Sequence, residues 1–376
     1  MKVARILILL ALTLAACVPD APTPGNRPKP KDNPTEQGEN PPAGGRQTFN
    51  IYLGNTHAHS QYSGDAVQEN NEPSDHYRIA KGAGYDFYAI TDHSQYDLSE
   101  EGVAETELAR RWAQILKEAD NFTDKDFVAF RGYEHSENNG PGAKGHFNVF
   151  NSNTYLNALA AGIDVKYFHN WLCTAANKNV VVSMNHPSET QYDNFACYNE
   201  QVRSLITMIE LINGGSCNDH YPAYLVALGK GWIVSPVAGS DLHGTNKVAS
   251  WPARTGIAAK ELTRESLLEA MRAHRTFATY DSSLKLMYYV NDMPMGTVFE
   301  AAPAQLDFDI SVTCSNNIKK VEILAGNGVV VKSKEFNAKT VSWHETVPVS
   351  NYKYYFVNVY GSSATPIAYA APVWLK

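Results

Sequence analysis

A chain of 376 residues is long enough for two domains, or for one large domain with an appendage. Its 32 Lys and Arg against 39 Asp and Glu leave a mild net charge of −7 with no basic run, which excludes a nucleic-acid binder that works by neutralising phosphates. No Gly-Xaa-Ser-Xaa-Gly elbow is present to supply a serine nucleophile.

Taken in order, residues 1–17 read as a targeting segment. Lys2 and Arg5 form a short basic region, residues 6–16 are apolar but too few to span a bilayer, and Leu14-Ala15-Ala16-Cys17 closes the run. That ending resembles a bacterial lipobox, which implies a lipidated Cys17 as the mature N-terminus and an exported protein anchored in a bacterial envelope. Residues 18–47 hold eight prolines among glycines and charges, with almost no bulky apolar groups, and predict a disordered, semi-extended tether. No later stretch is apolar for long enough to form a transmembrane helix, so the lipid anchor is the membrane attachment that the sequence predicts.

From residue 48 to 284, short apolar runs alternate with helical patterns. Strands are expected at 49–55, 87–91, 127–133, 146–151, 180–184, 208–212 and 233–238. Helices are expected at 74–81 with Ser74 as cap, 104–119, 165–177, 221–228 and 263–273 with Thr263 as cap. Such alternation predicts an α/β domain with a mostly parallel sheet, and about seven strands suit a barrel. Residues 285–376 change texture: strands at 284–290, 306–312, 319–324, 329–334, 339–347 and 352–360, separated by Asn, Gly and Pro turns, predict a small antiparallel β-sandwich. In an oxidising compartment a disulfide is expected among Cys173, Cys197 and Cys217, with the pairing open.

The chemistry gathers at the strand ends. His57 and His59, one residue apart, point to one side of an extended chain, and Asp65 follows past a Ser-Gly bend. Thr91-Asp92-His93, Gly132-Tyr133-Glu134-His135, Gly145-His146-Phe147-Asn148, Asn185-His186-Pro187 and Gly239-Ser240-Asp241-Leu242-His243 lie where further strands give way to loops. In parallel α/β folds those C-terminal strand ends form the active face, and a metal site accounts for so many histidines and carboxylates there.

The ordered set HxHxxxxxD, TDH, GxE, GHxN, NHP and GSDxH resembles the polymerase-and-histidinol-phosphatase (PHP) superfamily of metal-dependent hydrolases. Residues 252–256 and 273–278 look like its CehA/McbA-type branch. The resemblance implies a distorted (β/α)7 barrel holding three divalent metal ions, zinc and/or manganese or iron. It places His57, His59, Glu134 and Asp241 around the first metal. Glu134 bridges to a second metal held by His146 and His186, and Asp65, His93 and His243 hold a third. Asp65 departs from the histidine that several members carry, and an oxygen ligand favours manganese or iron over zinc, or partial occupancy. A hydroxide bridging two cations about 3.5–4 Å apart would attack a small phosphomonoester or phosphodiester. The alternatives are a carboxylic ester or carbamate hydrolase on the same centre, and a non-catalytic surface binding protein. Around the metals, Asp92 is a candidate to orient a histidine, Arg254 to fork onto a phosphate and His220 to act as general acid, while Tyr62, Asn148 and Lys144 are candidates for the mouth. His76, His169, His274 and His344 read as structural or solvated.

Overall fold

The computed structural model describes residues 46–94, 105–137, 144–158, 160 and 162–376. Cys17, its leader and almost all of the tether lie outside the described residues. The strands are β1 (Asn50–Asn55), β2 (Phe87–His93), β3 (Val128–Glu137), β4 (Gly145–Phe150), β5 (Val181–Asn185), β6 (Ile206–Asn213), the short β7 (Asn218–Asp219), β8 (Ser235–Gly239), β9 (Arg254–Ala259) and β10 (Thr276–Thr279). There follow β11 (Lys285–Val290), the short β12 (Met293–Pro294) and β13 (Val298–Phe299), the long β14 (Gln305–Ala325) and β15 (Val329–Pro348), then β16 (Tyr354–Tyr360), β17 (Pro366–Ala370) and β18 (Val373–Leu375).

The sheet is mixed rather than mostly parallel. β1, β2 and β3 run parallel, as do β5, β6 and β8, but β4 is antiparallel to both β3 and β5. The sequence explains the reversal, because only residues 138–144 separate β3 from β4, too few for a parallel crossover. β2 and β6 are buried along their whole length, as strands covered on both faces must be. β9 and β10, absent from the expected strands, extend the sheet, β9 antiparallel to β1 and β10 antiparallel to β9.

Nor does the sheet close into the expected barrel. Among the described residues no backbone ladder joins β8 to β9 or β10. The gap is bridged by side chains: Thr255 Oγ1 accepts from the Ala238 N–H at 2.7 Å, and Thr276 Oγ1 donates to the Pro236 carbonyl at 3.0 Å. Pro236 has no N–H to offer a ladder on that edge.

Helices cover the sheet much as their apolar periods predict. Residues Pro73–Gly82 start one position earlier than expected, with Pro73 in the first turn and the Glu72 N–H donating to Asp75, so Ser74 lies inside the helix rather than capping it. Thr263 does cap Arg264–Arg272, accepting from the Ser266 N–H, and that helix buries Leu267, Leu268, Ala270 and Met271. The expected helix at 165–177 stops at Leu172 and resumes as a 3₁₀ turn, Ala175–Asn177.

β14 and β15 form one long hairpin that turns at Gly326-Asn327-Gly328, both glycines having positive φ (51° and 82°). β17 pairs with β10, so hydrogen bonding continues from the N-terminal strands into the C-terminal ones. Leu53, Ala258 and Phe277 share one apolar core with Leu286, Phe308, Ile323, Trp343 and Val357. From residue 46 on, the described residues form one compact unit.

Candidate metal centre

The His57–His59 segment leaves β1 pinned on both sides. The His57 carbonyl accepts from the Asp241 N–H at 2.9 Å, the His59 N–H donates to the Leu242 carbonyl at 2.9 Å, and the Thr91 N–H donates to the Ala58 carbonyl at 2.8 Å. The ends of β1, β2 and β8 are thereby fixed against one another. Two of the gathered residues have left-handed backbone, His186 (φ 30°) and Asp241 (φ 49°), a strained conformation that clusters at functional sites.

Three ligand groups result: His57 with His59 and Asp241, Glu134 with His146 and His186, and His59 with His93 and His243. Glu134 connects them. Its Oε1 lies 3.1 Å from His146 Nδ1 and 3.2 Å from His186 Nε2. Its Oε2 lies 3.0 Å from His93 Nδ1, 3.4 Å from His57 Nε2 and 3.5 Å from His59 Nε2. Asp241 Oδ1 is 3.1 Å from His59 Nε2 and 3.4 Å from His57 Nε2. Asp65 reaches His243 Nε2 at 3.2 Å and His93 Nε2 at 3.4 Å. The structure therefore brings all nine expected ligands together, with His59 standing between two groups instead of belonging to one.

Behind them is a layer of supports. Glu210 Oε1 sits 2.8 Å from His57 Nδ1, and Asn185 Nδ2 donates to Glu134 Oε1 at 2.9 Å. Ser136 Oγ lies 2.5 Å from His93 Nδ1. Asp92 acts at one remove: it accepts from the Ser60 N–H and hydroxyl at 2.7 and 2.8 Å and from Ser63 Oγ at 3.1 Å, and Ser63 Oγ is 2.9 Å from His59 Nδ1.

This donor set fits divalent cations. Glu134 is fully buried, yet its Oε2 receives no hydrogen bond although three imidazole nitrogens face it. His57 Nε2 and His59 Nε2 point at each other 3.1 Å apart, in reach of two carboxylates. A buried carboxylate oxygen without a donor is costly, and a cation among these lone pairs satisfies them together. The electrostatics of the unloaded cluster are correspondingly uneven. Burial lowers the pKa of His59 to about 3, helped by the His93 charge, against the hydrogen bond to Asp241. For His93 burial also favours the neutral ring, but Glu134 and Asp65 outweigh it and raise the value to about 10. Burial works against ionisation of Glu134, but the surrounding histidines hold it well below the usual carboxylate range.

Two other candidates are not brought to this cluster in the expected roles. Arg254 is 4% exposed, with its guanidinium 3.5 Å from the Tyr85 ring centroid and Nη1 donating to the Trp251 and Ala253 carbonyls. Nη1 is therefore committed to backbone carbonyls, and the side chain is buried against Tyr85. His220 begins the helix Tyr221–Gly229, and its Nδ1 lies 2.9 Å from the Pro187 carbonyl. A carbonyl only accepts, so Nδ1 carries the proton and the buried Nε2 is a bare lone pair without a donor. Burial also lowers its pKa, and both facts oppose a general-acid role.

At the expected mouth, Asn148 is buried and donates to the Thr56 carbonyl at 3.1 Å, which makes it a strut; Tyr62 is half-buried and Lys144 exposed. His135, next to Glu134, instead stacks on Phe168 at 4.2 Å. His76 bonds Asn71 Oδ1 at 2.7 Å and His274 lies 3.2 Å from the Thr207 carbonyl. The expected disulfide is absent: Cys173, Cys197 and Cys217 are free thiols, and Cys197 Sγ donates to the Asn199 carbonyl.

The sequence reading missed Glu210. A charged residue within the apolar run Ile206-Thr207-Met208-Ile209-Glu210-Leu211-Ile212 was its signal, since a buried carboxylate requires a partner.

No family model matches this chain, and no curated protein does. Among solved structures it is similar to a two-domain protein from Bacteroides vulgatus ATCC 8482 containing a predicted PHP-like metal-dependent phosphoesterase, at 15% identity over 87% of this chain and 98% of that one, with a TM-score of 0.48. It is also similar to a lesion-specific endonuclease from Pyrococcus furiosus, at 13% identity over 59% and 56% of the two chains (TM-score 0.37). A third similarity is to an amidohydrolase from Chromobacterium violaceum with bound sulfate and no metal, at 14% over 52% and 88% (TM-score 0.32). At these identities and TM-scores all three are distant likenesses.

Proposed function

We propose that this chain is a metal-dependent hydrolase of the PHP type, acting on small phosphomonoesters or phosphodiesters. The observation that carries this reading is Glu134, whose two oxygens face different histidine groups at 3.0–3.5 Å within a fully buried position. His57, His59, Glu134 and Asp241 would hold one cation, Glu134, His146 and His186 a second, and Asp65, His93 and His243 a third. Bound divalent cations would supply Lewis acidity, a water ionised near neutral pH and charge neutralisation at the group attacked.

The chain's own residues do the rest. Glu134, His57 and His59 have fully buried side chains and form the floor. Asp65, His243, His186 and Asp241 expose 56, 33, 24 and 22% of theirs, so substrate enters along that rim. Three ligand groups side by side suit an anionic phosphoryl group better than a neutral carboxylic ester, because the charge to be offset is larger. Since His220 directs its only proton to Pro187, the leaving oxygen takes its proton from solvent at the open rim.

Metal analysis of the purified protein, with nitrophenyl phosphate, bis-nitrophenyl phosphate and nitrophenyl acetate assays, tests the proposal. Two or more bound metals and phosphoester cleavage, lost by at least about 10³-fold in kcat/KM in Glu134→Ala, are expected. Cleavage of the acetate alone would move the assignment to carboxylic esters or carbamates. Fewer than two metals, with His57→Ala indistinguishable from wild type, would leave a surface binding protein. We further propose export and anchoring through Cys17, which Cys17→Ser should abolish in a membrane-fractionation experiment.

A further inference from the structure

We infer that Glu210 is the positioning residue that sets two of the three ligand groups at once, an inference that rests on the metal-hydrolase reading above. Glu210 is fully buried in β6. Its Oε1 lies 2.8 Å from His57 Nδ1. A carboxylate oxygen only accepts, so Nδ1 carries the proton and Nε2, which faces Glu134, His59 and Asp241, keeps its lone pair. The other oxygen accepts from the backbone N–H of His186 and from Asn213 Nδ2, both at 2.8 Å. That backbone bond holds His186 at its left-handed φ of 30°, the conformation from which its Nε2 reaches Glu134. One side chain thus fixes the tautomer of His57 in the first group and the backbone of His186 in the second. It has no contact with Asp65, His93 or His243 in the third among the described residues.

Two features of the fold are shaped to this role. β6 carries an extra residue against β8: Glu210 pairs with Val237 and Ile212 with Ala238, leaving Leu211 without a partner. Such a bulge changes which way the neighbouring side chains point, and bulges concentrate beside active sites. Opposite it, Gly239 leaves room for the pair. A Cβ there would stand 1.8 Å from Glu210 Oε1 and 2.7 Å from His57 Cβ, a collision of buried, tightly held groups. Gly239→Ala should therefore disturb the Glu210–His57 pair without replacing a ligand.

The chemistry separates a charge role from a packing role. Glu210→Gln conserves volume but has one acceptor oxygen. With that oxygen facing the His186 and Asn213 donors, the new amide N–H₂ faces His57 Nδ1. Two donors cannot face each other, so His57 is driven to the tautomer protonated on Nε2, which has no lone pair left for a cation.

The test is metal binding to the full-length, metal-stripped protein, titrated with zinc and with manganese against a chromophoric chelator, beside the thermal midpoint of the metal-free form. Glu210→Gln is expected to keep the metal-free midpoint and to weaken two of the bound metals by about 10–100-fold, with the third unchanged. Gly239→Ala is expected to weaken the same two. At a zinc concentration that fills the wild-type sites but not the weakened ones, nitrogen-15 NMR should show His57 protonated on Nδ1 in wild type and on Nε2 in Glu210→Gln. Wild-type affinity at every site in Glu210→Gln would overturn the inference while leaving the hydrolase reading intact. Uniform weakening of all three metals, or an unchanged His57 tautomer, would also overturn it. Wild-type protein that binds no divalent metal would remove the hydrolase reading and this inference together.

Discussion

Arg254 shows how little a residue type says about its role until its surroundings are known. The guanidinium lies against Tyr85 and donates to the Trp251 and Ala253 carbonyls where β9 begins, and burial lowers its pKa. Its truncation leaves two buried carbonyls without donors. Arg254→Ala is therefore expected to lower stability by about 2–3 kcal/mol in urea denaturation while leaving kcat of the folded enzyme within about twofold. A loss of activity at unchanged stability would return Arg254 to the substrate. The nine candidate ligands, by contrast, were legible from sequence, because the ordered motifs that carry them resemble a known family's metal-binding set. Glu210 was not, because its partners lie at positions 57, 186 and 213, and only folding brings these together.

At the scale of elements, the turn that follows β5 holds the second ligand group together. Tyr192 sits in a turn of left-handed residues, Tyr192–Phe195, and its hydroxyl lies 3.0 Å from the His146 carbonyl and 2.7 Å from the Asn185 carbonyl. It ties the start of β4 to the end of β5, next to His186. Gly145 makes this possible: its φ is 124°, and a Cβ there would come within 2.3 Å of the Tyr192 ring. Gly145→Ala should displace Tyr192 and spread His146 from His186. The expected result is loss of about one metal equivalent and at least a tenfold drop in kcat/KM, with the far-ultraviolet dichroism retained. A variant with a full metal complement would show that the tyrosine is not needed for this geometry. Element types were legible because periodicity is local. The bulge at Leu211 was not, because register depends on neighbouring strands.

At the scale of the whole molecule, buried histidines outside the metal cluster couple stability to pH. His169 is buried, and burial, opposed by Asp193, lowers its pKa to about 4, against about 6.5 in the unfolded chain. The folded state therefore binds fewer protons. Its contribution is fully present above pH 6.5 and is lost as pH falls towards 4, by at most about 3 kcal/mol. His274, lowered to about 4 by burial, acts in the same direction. Urea midpoints of the metal-free protein should fall between pH 7 and 5, and less steeply in His169→Gln; equal slopes would contradict this account. The shared core makes a second expectation. Removing residues 285–376 uncovers Leu53, Ala258 and Phe277 and leaves β10 without β17, so soluble yield should collapse. A soluble, folded remainder would show that the N-terminal strands stand alone.

By itself the sequence determined the α/β texture up to residue 284, the strand-rich remainder and the identity of the nine candidate ligands. The first two depend on residue type and spacing along the chain, and the third on the resemblance of the ordered motifs. Tertiary structure alone decided the open edge at Pro236 and the sharing of His59 between two ligand groups. It also committed Arg254 Nη1 to the Trp251 and Ala253 carbonyls, directed the His220 Nδ1 proton at the Pro187 carbonyl and brought Glu210 behind His57 and His186. These outcomes turn on distances of about 3 Å between groups far apart in the chain, and hydrogen-bond direction and burial exist only once the strands have paired.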